Sequence, residues 1–239
     1  MAADELEHEA IGQRVRSVLS RMSEATVRAG RPPGAVRLVA ATKAVSVEHV
    51  RTAVRAGVRI VGENRLQEAM PKIDVLDSCD GLEWHFIGSL QRRKVKHVLG
   101  RFRMIHSVDS LELAQEIDRR AAEAGMRQPV LLEVNIAGES TKSGFPPSTI
   151  IQAARAMDEL IHMEVQGLMV VPPPAKDAES SRPYFRRVRD LAREIEKQDF
   201  RHVRMDELSM GMSQDFEIAI EEGATLIRIG TALFGSRPH

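Results

Sequence analysis

The sequence has few of the residues that build disulfide scaffolds, membrane spans or stacking surfaces. Its 239 residues include one cysteine, Cys79, one tryptophan and one tyrosine, and aromatic residues make up 4%. A single cysteine excludes an internal disulfide framework and favours a reducing compartment. No window approaches the roughly 18 consecutive apolar residues of a membrane helix, and the acidic amino terminus lacks the apolar segment of a secretory signal. We therefore expect a cytoplasmic protein without a membrane partner.

An excess of either charge is also missing. The sequence contains 34 basic and 34 acidic side chains, which gives a net charge of zero. Nucleic-acid-binding proteins usually carry a basic excess, so we expect no nucleic-acid partner. Residues 91–96 are locally basic. We interpret them as a solvated helix face, with a phosphate-rich partner as the alternative.

Motifs of common hydrolases and metalloproteins are absent as well. The sequence has no HExxH, no Cys/His cluster and no paired aspartates with metal-binding spacing, so we predict no metal site. It also has no G-x-S-x-G, which argues against a Ser-His-Asp hydrolase.

What the chain does have is a regular alternation of short apolar runs and segments of helical period. The runs predict eight strands, at 37–42, 58–61, 83–87, 104–107, 130–135, 165–170, 207–209 and 225–229. Eight strands alternating with helices predict an α/β protein with a closed (β/α)8 TIM barrel and an extra amino-terminal helix. The alternative is an open doubly wound sheet, which normally has a glycine-rich first βα turn. Residues 41–44 contain no glycine, so the barrel is favoured.

We predict one domain over residues 1–239, with the amino-terminal helix and a linker in 1–34 and the barrel in 35–235. Three of its helices have recognisable boundaries. Ser46 is expected to cap the helix after the first strand, and Asp109 and Glu112 have the spacing of a capping box. Ser213 is expected to cap the helix that precedes the last strand.

Lys43 ends the first apolar strand, at the edge where a barrel places its working residues. An amine buried there is costly unless it is deprotonated or bonded. One interpretation is a flexible side chain that extends into water. The other is a desolvated amine that forms a Schiff base.

Two loops near the carboxyl terminus have the composition of a phosphate site. Barrels often bind phosphate with the loops after strands 7 and 8. Residues 209–213, Ser-Met-Gly-Met-Ser, supply hydroxyls and a glycine, and Gly230 and Thr231 directly follow the last strand. Ordinary helix capping and a tight turn are the alternative for either loop alone. The two loops together, on adjacent strands, favour phosphate.

Arg228 lies between two isoleucines inside the last strand, on the face opposite to theirs. Because an arginine inside a barrel requires a partner, we expect either an ion pair with a strand carboxylate such as Glu133 or Glu207, or a bond to a ligand. Strands 1, 7 and 8 are neighbours in a closed barrel. A phosphorylated aldehyde could therefore have its phosphate held on one side while its carbonyl faces Lys43.

These segments form an ordered series across the chain: LVAATK (38–43), VGENR (61–65), WHFIG (84–88), VN (134–135) with KSG (142–144), GLM (167–169), LSMGMS (208–213), IGT (229–231) and FG (234–235). The series resembles the pyridoxal 5′-phosphate homeostasis protein family, which is similar in fold to the amino-terminal barrel of alanine racemase, the type III fold of enzymes that use pyridoxal 5′-phosphate (PLP).

The resemblance implies a role for nine residues. Lys43 would carry PLP as a Schiff base, and Arg228 would face the pyridine nitrogen. Asn64 and His85 would line the ring pocket, although a lone histidine beside Trp84 and Phe86 is more often a bonded core residue. The phosphate side would consist of Ser209, Met210, Ser213, Gly230 and Thr231.

The resemblance also implies a carrier that buffers or delivers PLP in vitamin B6 homeostasis, with PLP-dependent apo-enzymes as partners and no catalysis of its own. An amino-acid racemase is the alternative. It requires a base on each face of the substrate carbanion, and Lys43 supplies one. The single tyrosine, Tyr184, follows strand 6, and we expect no additional domain that could supply a second base. We also expect the protein to be a monomer. A non-catalytic interaction protein without the cofactor is a third interpretation.

Overall fold

The structure is a computed structural model that describes residues 2–76, 81–139, 141–174 and 176–235. Cys79 lies outside these ranges. Eight strands form the barrel, and their bounds are β1 (Arg37–Ala41), β2 (Ile60–Glu63), β3 (Glu83–Phe86), β4 (Met104–Val108), β5 (Gln128–Val134), β6 (Met163–Val170), β7 (Val203–Ser209) and β8 (Leu226–Ile229). All eight predicted strands are present, with ends that differ from the prediction by at most four residues.

Helices follow the strands and cover the outside of the barrel. They are α1 (Ala2–Arg28), α2 (Val47–Arg55), α3 (Leu66–Leu76), α4 (Val95–Val98), α5 (Leu111–Glu123), α6 (Ile150–Met157), α7 (Arg182–Glu196), α8 (Phe216–Glu221) and α9 (Thr231–Phe234), with 3₁₀ turns at Arg92–Lys94 and Glu179–Ser181. The basic segment 91–96 thus forms a 3₁₀ turn and the start of α4. None of the described helices is long and apolar enough to cross a membrane.

The strands are parallel and close into a barrel in sequence order, from β1 to β8. Closure is direct: Val39 of β1 pairs with Arg228 of β8, and Ala40 pairs with Ile229. This confirms the predicted (β/α)8 barrel. Because all strands run the same way, their carboxyl ends lie at one rim, which brings the loops after β1, β7 and β8 side by side.

Two apolar cores hold the barrel together. The larger one fills the space between strands and helices. A separate cluster has one residue from each of six strands: Val39, Ile60, Met104, Leu131, Met169 and Leu226. Side chains alternate between the two faces of a strand, so this second cluster fills the inside of the barrel. It forms an apolar layer, and a site at the rim rests on a solid floor.

The extra helix α1 packs against α2, α8 and α9. Its buried face consists of Ile11, Val15, Val18 and Ala25. The first helix of the chain therefore contacts the helices that follow β1, β7 and β8.

Candidate functional site at the carboxyl ends of β1, β7 and β8

Lys43 lies in the turn between β1 and α2, two residues after β1 ends. It is exposed, and its amine makes no hydrogen bond or ion pair within the described ranges. The expectation of a desolvated amine is therefore not met, because the side chain extends from the rim into solvent. An exposed amine without a partner is accessible to a ligand that enters the barrel mouth.

The turn that carries Lys43 is held from below by a buried ion pair. Lys72 of α3 donates to the backbone carbonyl of Thr42 at 2.6 Å and to Glu63 Oε1 at 2.7 Å. Thr42 Oγ1 donates to the same carboxylate oxygen at 2.6 Å. The side chains of Lys72 and Glu63 are 7% and 0% exposed. These contacts fix the residue directly before Lys43 to two neighbouring elements.

The other side of the turn is fixed through its backbone. Ala44 has a φ of 59°, the left-handed conformation that costs an L-residue energy, and its N–H donates to Glu68 Oε2 at 2.7 Å. On each side of Lys43 the chain is thus bonded to α3.

The loops after β7 and β8 are joined by a hydrogen bond. Ser213 Oγ accepts from the backbone N–H of Ala232 at 3.2 Å. The prediction that Ser213 caps the following helix is wrong, because α8 begins at Phe216 and Asp215 occupies the capping position. Asp215 instead accepts from the backbone N–H of Met212 at 2.7 Å, which closes the loop on itself. Ser213 is thereby available to connect the two loops.

Five backbone N–H groups at these loops have no acceptor in the described part of the chain: those of Gly211, Ser213, Gln214, Gly230 and Thr231. Gly230 lies so close to β1 that an added Cβ would be 3.3 Å from the carbonyl oxygen of Ala41. Unpaired N–H groups at a strand-to-helix turn bind anions well. Thr231 is exposed and Met210 is fully buried, so of these two residues only Thr231 can present its side chain to a ligand.

Arg228 is 6% exposed and holds its guanidinium inside the barrel. It donates to Ser209 Oγ at 2.6 Å and to the carbonyl oxygen of Val170 at 2.8 Å. Burial lowers its pKa to about 10, and the charges of Glu133 and Asp215 oppose that change. The guanidinium is still protonated at neutral pH.

Neither carboxylate proposed from the sequence forms an ion pair with Arg228. Glu207 pairs with Arg37, and no described salt bridge includes Glu133. Burial raises the pKa of Glu133, as does the charge of Asp109, while the charge of Arg228 lowers it. Arg228 is therefore a buried cation bonded only to neutral groups within the described ranges.

His85 and Asn64 lie on the next two strand ends, and the structure gives them different settings. His85 is fully buried, with Nδ1 2.9 Å from His106 Nε2 and Nε2 3.4 Å from Glu83 Oε2. Asn64 is partly buried, and its Oδ1 atom is buried without a hydrogen-bond partner among the described residues. An added Cβ on Gly88 would lie 2.4 Å from the carbonyl oxygen of Asn64, so this contact requires glycine.

One group of described residues could hold a metal ion, and it lies on the two helices α1 and α2. Asp4 and His8 of α1 lie near His49 of α2, with ligand atoms within 4.8 Å of one another. His8 Nδ1 is 2.6 Å from Thr52 Oγ1, and the Asp4 side chain is 73% exposed. No motif in the sequence predicts this cluster, because its residues come from two separate helices.

Sequence comparison identifies the family. The model of the alanine racemase N-terminal domain matches residues 18–238. A pyridoxal phosphate homeostasis protein of Aquifex aeolicus is 45% identical over 227 residues, which is 95% of this chain and 98% of the relative. One of Pseudomonas aeruginosa is 39% identical and covers 96% of each chain. The chain belongs to the pyridoxal phosphate homeostasis protein family.

Solved structures agree with membership of the pyridoxal phosphate homeostasis protein family. PipY of Synechococcus elongatus, in a structure with PLP bound, has a TM-score of 0.81 and 36% identity over 94% of this chain and 100% of its own. An alanine racemase of Clostridium difficile has a TM-score of 0.72 but 15% identity, over 95% of this chain and 60% of its own. The second likeness shows the shared barrel fold alone.

In this member of the pyridoxal phosphate homeostasis protein family, sequence reasoning missed the residues behind the site. Glu63, Lys72 and His106 are fully or almost fully buried, and each bonds to a residue at or next to a predicted site position. Glu63 ends β2 and His106 lies inside β4, and a polar residue within an apolar strand is a signal that could have selected them. Lys72 lies in a helix, and no local pattern marks its contact with Thr42.

Proposed function

We propose that this chain binds PLP at the carboxyl ends of β1, β7 and β8, holds it reversibly on Lys43, and serves vitamin B6 homeostasis as a carrier. The observation that carries the proposal is the adjacency of three groups at one rim: an accessible amine after β1, unpaired N–H groups after β7 and β8, and a buried guanidinium on β8. A PLP-bound structure of PipY, a relative with the same fold, supports it.

The residues present fit the chemical parts of PLP. The amine of Lys43 can attack the aldehyde carbon, and one water leaves as the carbon–nitrogen double bond forms. The N–H groups of Ser213, Gly230 and Thr231 can hold the phosphate, because a helix start and free N–H groups favour an anion. Ser209 supports that loop from inside the barrel, and Met210 supports it from the core between strands and helices, since both are fully buried.

The ring of PLP would lie between these two ends. We assign Arg228 to the pyridine nitrogen, as a donor held in place by Ser209 and Val170. Asn64 has a buried oxygen that is free to accept a hydrogen bond from a ligand. His85 has both ring nitrogens engaged by protein groups, so we assign it to the floor of the pocket.

We favour a carrier over a racemase because Lys43 is the one candidate base at the described rim that faces a ligand without a bonded partner. Tyr184 lies on α7, in the helical layer. Racemisation requires bases on both faces of the carbanion, and the described residues supply one. We further propose a monomer in the cytoplasm that exchanges PLP with PLP-dependent apo-enzymes.

The test is the absorbance spectrum of the purified protein after incubation with PLP and removal of excess ligand. We expect a band near the edge of the visible range, trapped by borohydride as a covalent adduct on Lys43. The Lys43→Ala variant should lose both signals, whereas Lys96→Ala, a control at an exposed lysine, should keep them. Loaded protein without the band, or an unchanged Lys43→Ala variant, would refute the proposal.

A second assay separates carrier from racemase. The loaded protein should not interconvert D- and L-alanine, and it should restore activity to an apo-enzyme that requires PLP. Efficient interconversion that depends on Lys43 would overturn the assignment as a carrier.

A further inference from the structure

A line of hydrogen bonds crosses the inside of the barrel and ends at Arg228. Its members are Glu83, His85, His106, Ser209 and Arg228. The successive distances are 3.4, 2.9, 2.9 and 2.6 Å. The two histidines and Ser209 are fully buried, while the Glu83 side chain is 42% exposed. The line therefore connects a solvent-facing carboxylate with the buried guanidinium at the proposed site.

Glu83 and Arg228 fix the direction at the two ends of the line, because an ionised carboxylate can only accept and a guanidinium can only donate. Ser209 Oγ accepts from Arg228, so its own hydrogen is free to go to its other neighbour, the Nδ1 atom of His106. A neutral His106 then carries its proton on Nε2 and donates to His85 Nδ1. His85 in turn carries its proton on Nε2 and donates to Glu83. With both histidines neutral, every contact in the line pairs one hydrogen-bond donor with one acceptor.

Electrostatics favours this neutral arrangement. Burial lowers the pKa of His106 well below its ordinary value, and His85, Arg228 and Arg37 lower it further. Burial also lowers the pKa of His85, where Glu83 and Glu207 act in the opposite direction and Arg37 in the same. Both shifts favour the neutral imidazole, in which His106 Nδ1 is an acceptor for the Ser209 hydroxyl.

We infer that His106 is a positioning residue: by accepting from Ser209 it sets the orientation of that hydroxyl, and through it the place of Arg228 in the PLP pocket. The inference rests on the proposed PLP site. His106 is fully buried on β4 and Arg228 on β8, on opposite sides of the barrel, and Ser209 on β7 bonds to both. Without the acceptor at Nδ1, the Ser209 hydroxyl has no described partner to which it can donate, and one of the two anchors of Arg228 loses its orientation.

Two replacements of His106 separate positioning from simple packing. Asparagine can place its Oδ1 where the imidazole has Nδ1, so His106→Asn keeps the acceptor for Ser209 and loses volume. Glutamine is closer to histidine in size and can place its Nε2 where the imidazole has Nε2, so His106→Gln keeps the donor to His85 and loses the acceptor. If His106 only fills space, glutamine is the better substitute; if it orients Ser209, asparagine is.

The first experiment measures PLP binding by equilibrium titration for the wild type, both variants and His97→Gln, a control at an exposed histidine of α4. A lost bond of this kind corresponds to roughly a tenfold weaker affinity. We expect about that loss for His106→Gln and less than about threefold for His106→Asn. Glutamine binding as tightly as wild type, or more tightly than asparagine, would overturn the inference.

The second experiment uses the ligand-free protein and does not depend on PLP. Nitrogen-15 NMR of the imidazoles at pH 7 should show His106 and His85 neutral, each with its proton on Nε2. A proton on Nδ1 of either residue, or a charged imidazole, would contradict the derived direction. Wild-type protein that fails to bind PLP would refute the proposed function, whereas normal binding with equal affinities in all variants would refute the role of His106 alone.

Discussion

The most demanding prediction concerns the buried ion pair behind Lys43. Replacing Lys72 with methionine keeps the length of the side chain but removes its charge and both of its hydrogen bonds, at 2.6 Å to Thr42 and 2.7 Å to Glu63. The Glu63 carboxylate is then a fully buried charge with Thr42 Oγ1 as its one described donor, because its Oε2 atom already lacks a partner. Breaking a buried pair by removing one member costs about 3–5 kcal/mol.

We therefore expect Lys72→Met to lower the free energy of unfolding by about 3–5 kcal/mol, measured by urea denaturation of the PLP-free protein. A shift of that size lowers the melting temperature by about 2–4 °C for each kcal/mol in a chain of this length. Lys96→Met is the matched control, since Lys96 is exposed, and its change should lie within about 0.5 kcal/mol.

A double-mutant cycle identifies the cause. Lys72→Met combined with Glu63→Gln should cost less than the sum of the two single changes, by about 0.5–3 kcal/mol, because the uncompensated charge is gone in the double variant. Additive losses, or a loss below about 1 kcal/mol for Lys72→Met, would refute the reasoning.

Two further predictions concern a close contact and a surface network. Gly88→Ala should destabilise the protein by about 1–3 kcal/mol and weaken PLP binding, since an added Cβ would meet the backbone of Asn64 at 2.4 Å. Gly12→Ala in α1 is the control: an added Cβ there would meet only the flexible end of the Arg16 side chain, at 3.4 Å, so the change should be neutral or stabilising in the same denaturation assay. Burial acts to raise the pKa of Glu222, but bonds and charges from three arginines of α7 outweigh it and hold the pKa below its ordinary value. Its contribution to stability is thus present above the unfolded-state pKa, about 4.3, and is lost as pH falls through the lower folded-state pKa. The stability advantage of wild type over Glu222→Gln should shrink between about pH 5 and pH 3; an advantage that stays constant over that range would contradict the assignment.

The fold could be predicted from the sequence because each strand is a short apolar run bounded by turn residues. The differences lie at strand ends. Val58 was predicted to open β2 but instead donates its N–H to the carbonyl oxygen of Ala53, which completes the end of α2. β7 begins at Val203, four residues before the prediction, because Arg204 and Asp206 alternate with buried residues and hide the strand from a search for apolar runs.

Helix caps were predicted with mixed success, because capping depends on local geometry. Ser46 accepts from the N–H of His49, as predicted. The capping box at Asp109 and Glu112 is wrong, since α5 begins after Ser110 and has no side-chain cap bond. The prediction for Ser213 failed for a different reason. Its hydroxyl oxygen accepts a hydrogen bond from the loop after β8, and no local sequence pattern predicts such a contact.

The positions of the site residues on the barrel could be predicted, but the partners of those residues could not. Arg228 was expected to face inward, and it does. Its acceptors are Ser209, 19 residues away, and Val170, 58 residues away. Such contacts depend on the stagger of three strands, which alternation along one strand does not determine.

The direct pairing of β1 with β8 also has a consequence for synthesis of the chain on the ribosome. Lys43 emerges early, whereas Ser209, Arg228 and the loops after β7 and β8 follow it by more than 160 residues. The helix α1 packs on α8 and α9, which are also made last. Because domains fold as units during synthesis, the barrel can close only when its final strand is free. A nascent chain thus exposes the Lys43 amine long before Arg228 and the loops after β7 and β8 have been made, and the proposed PLP pocket can form only after β8 has left the ribosome.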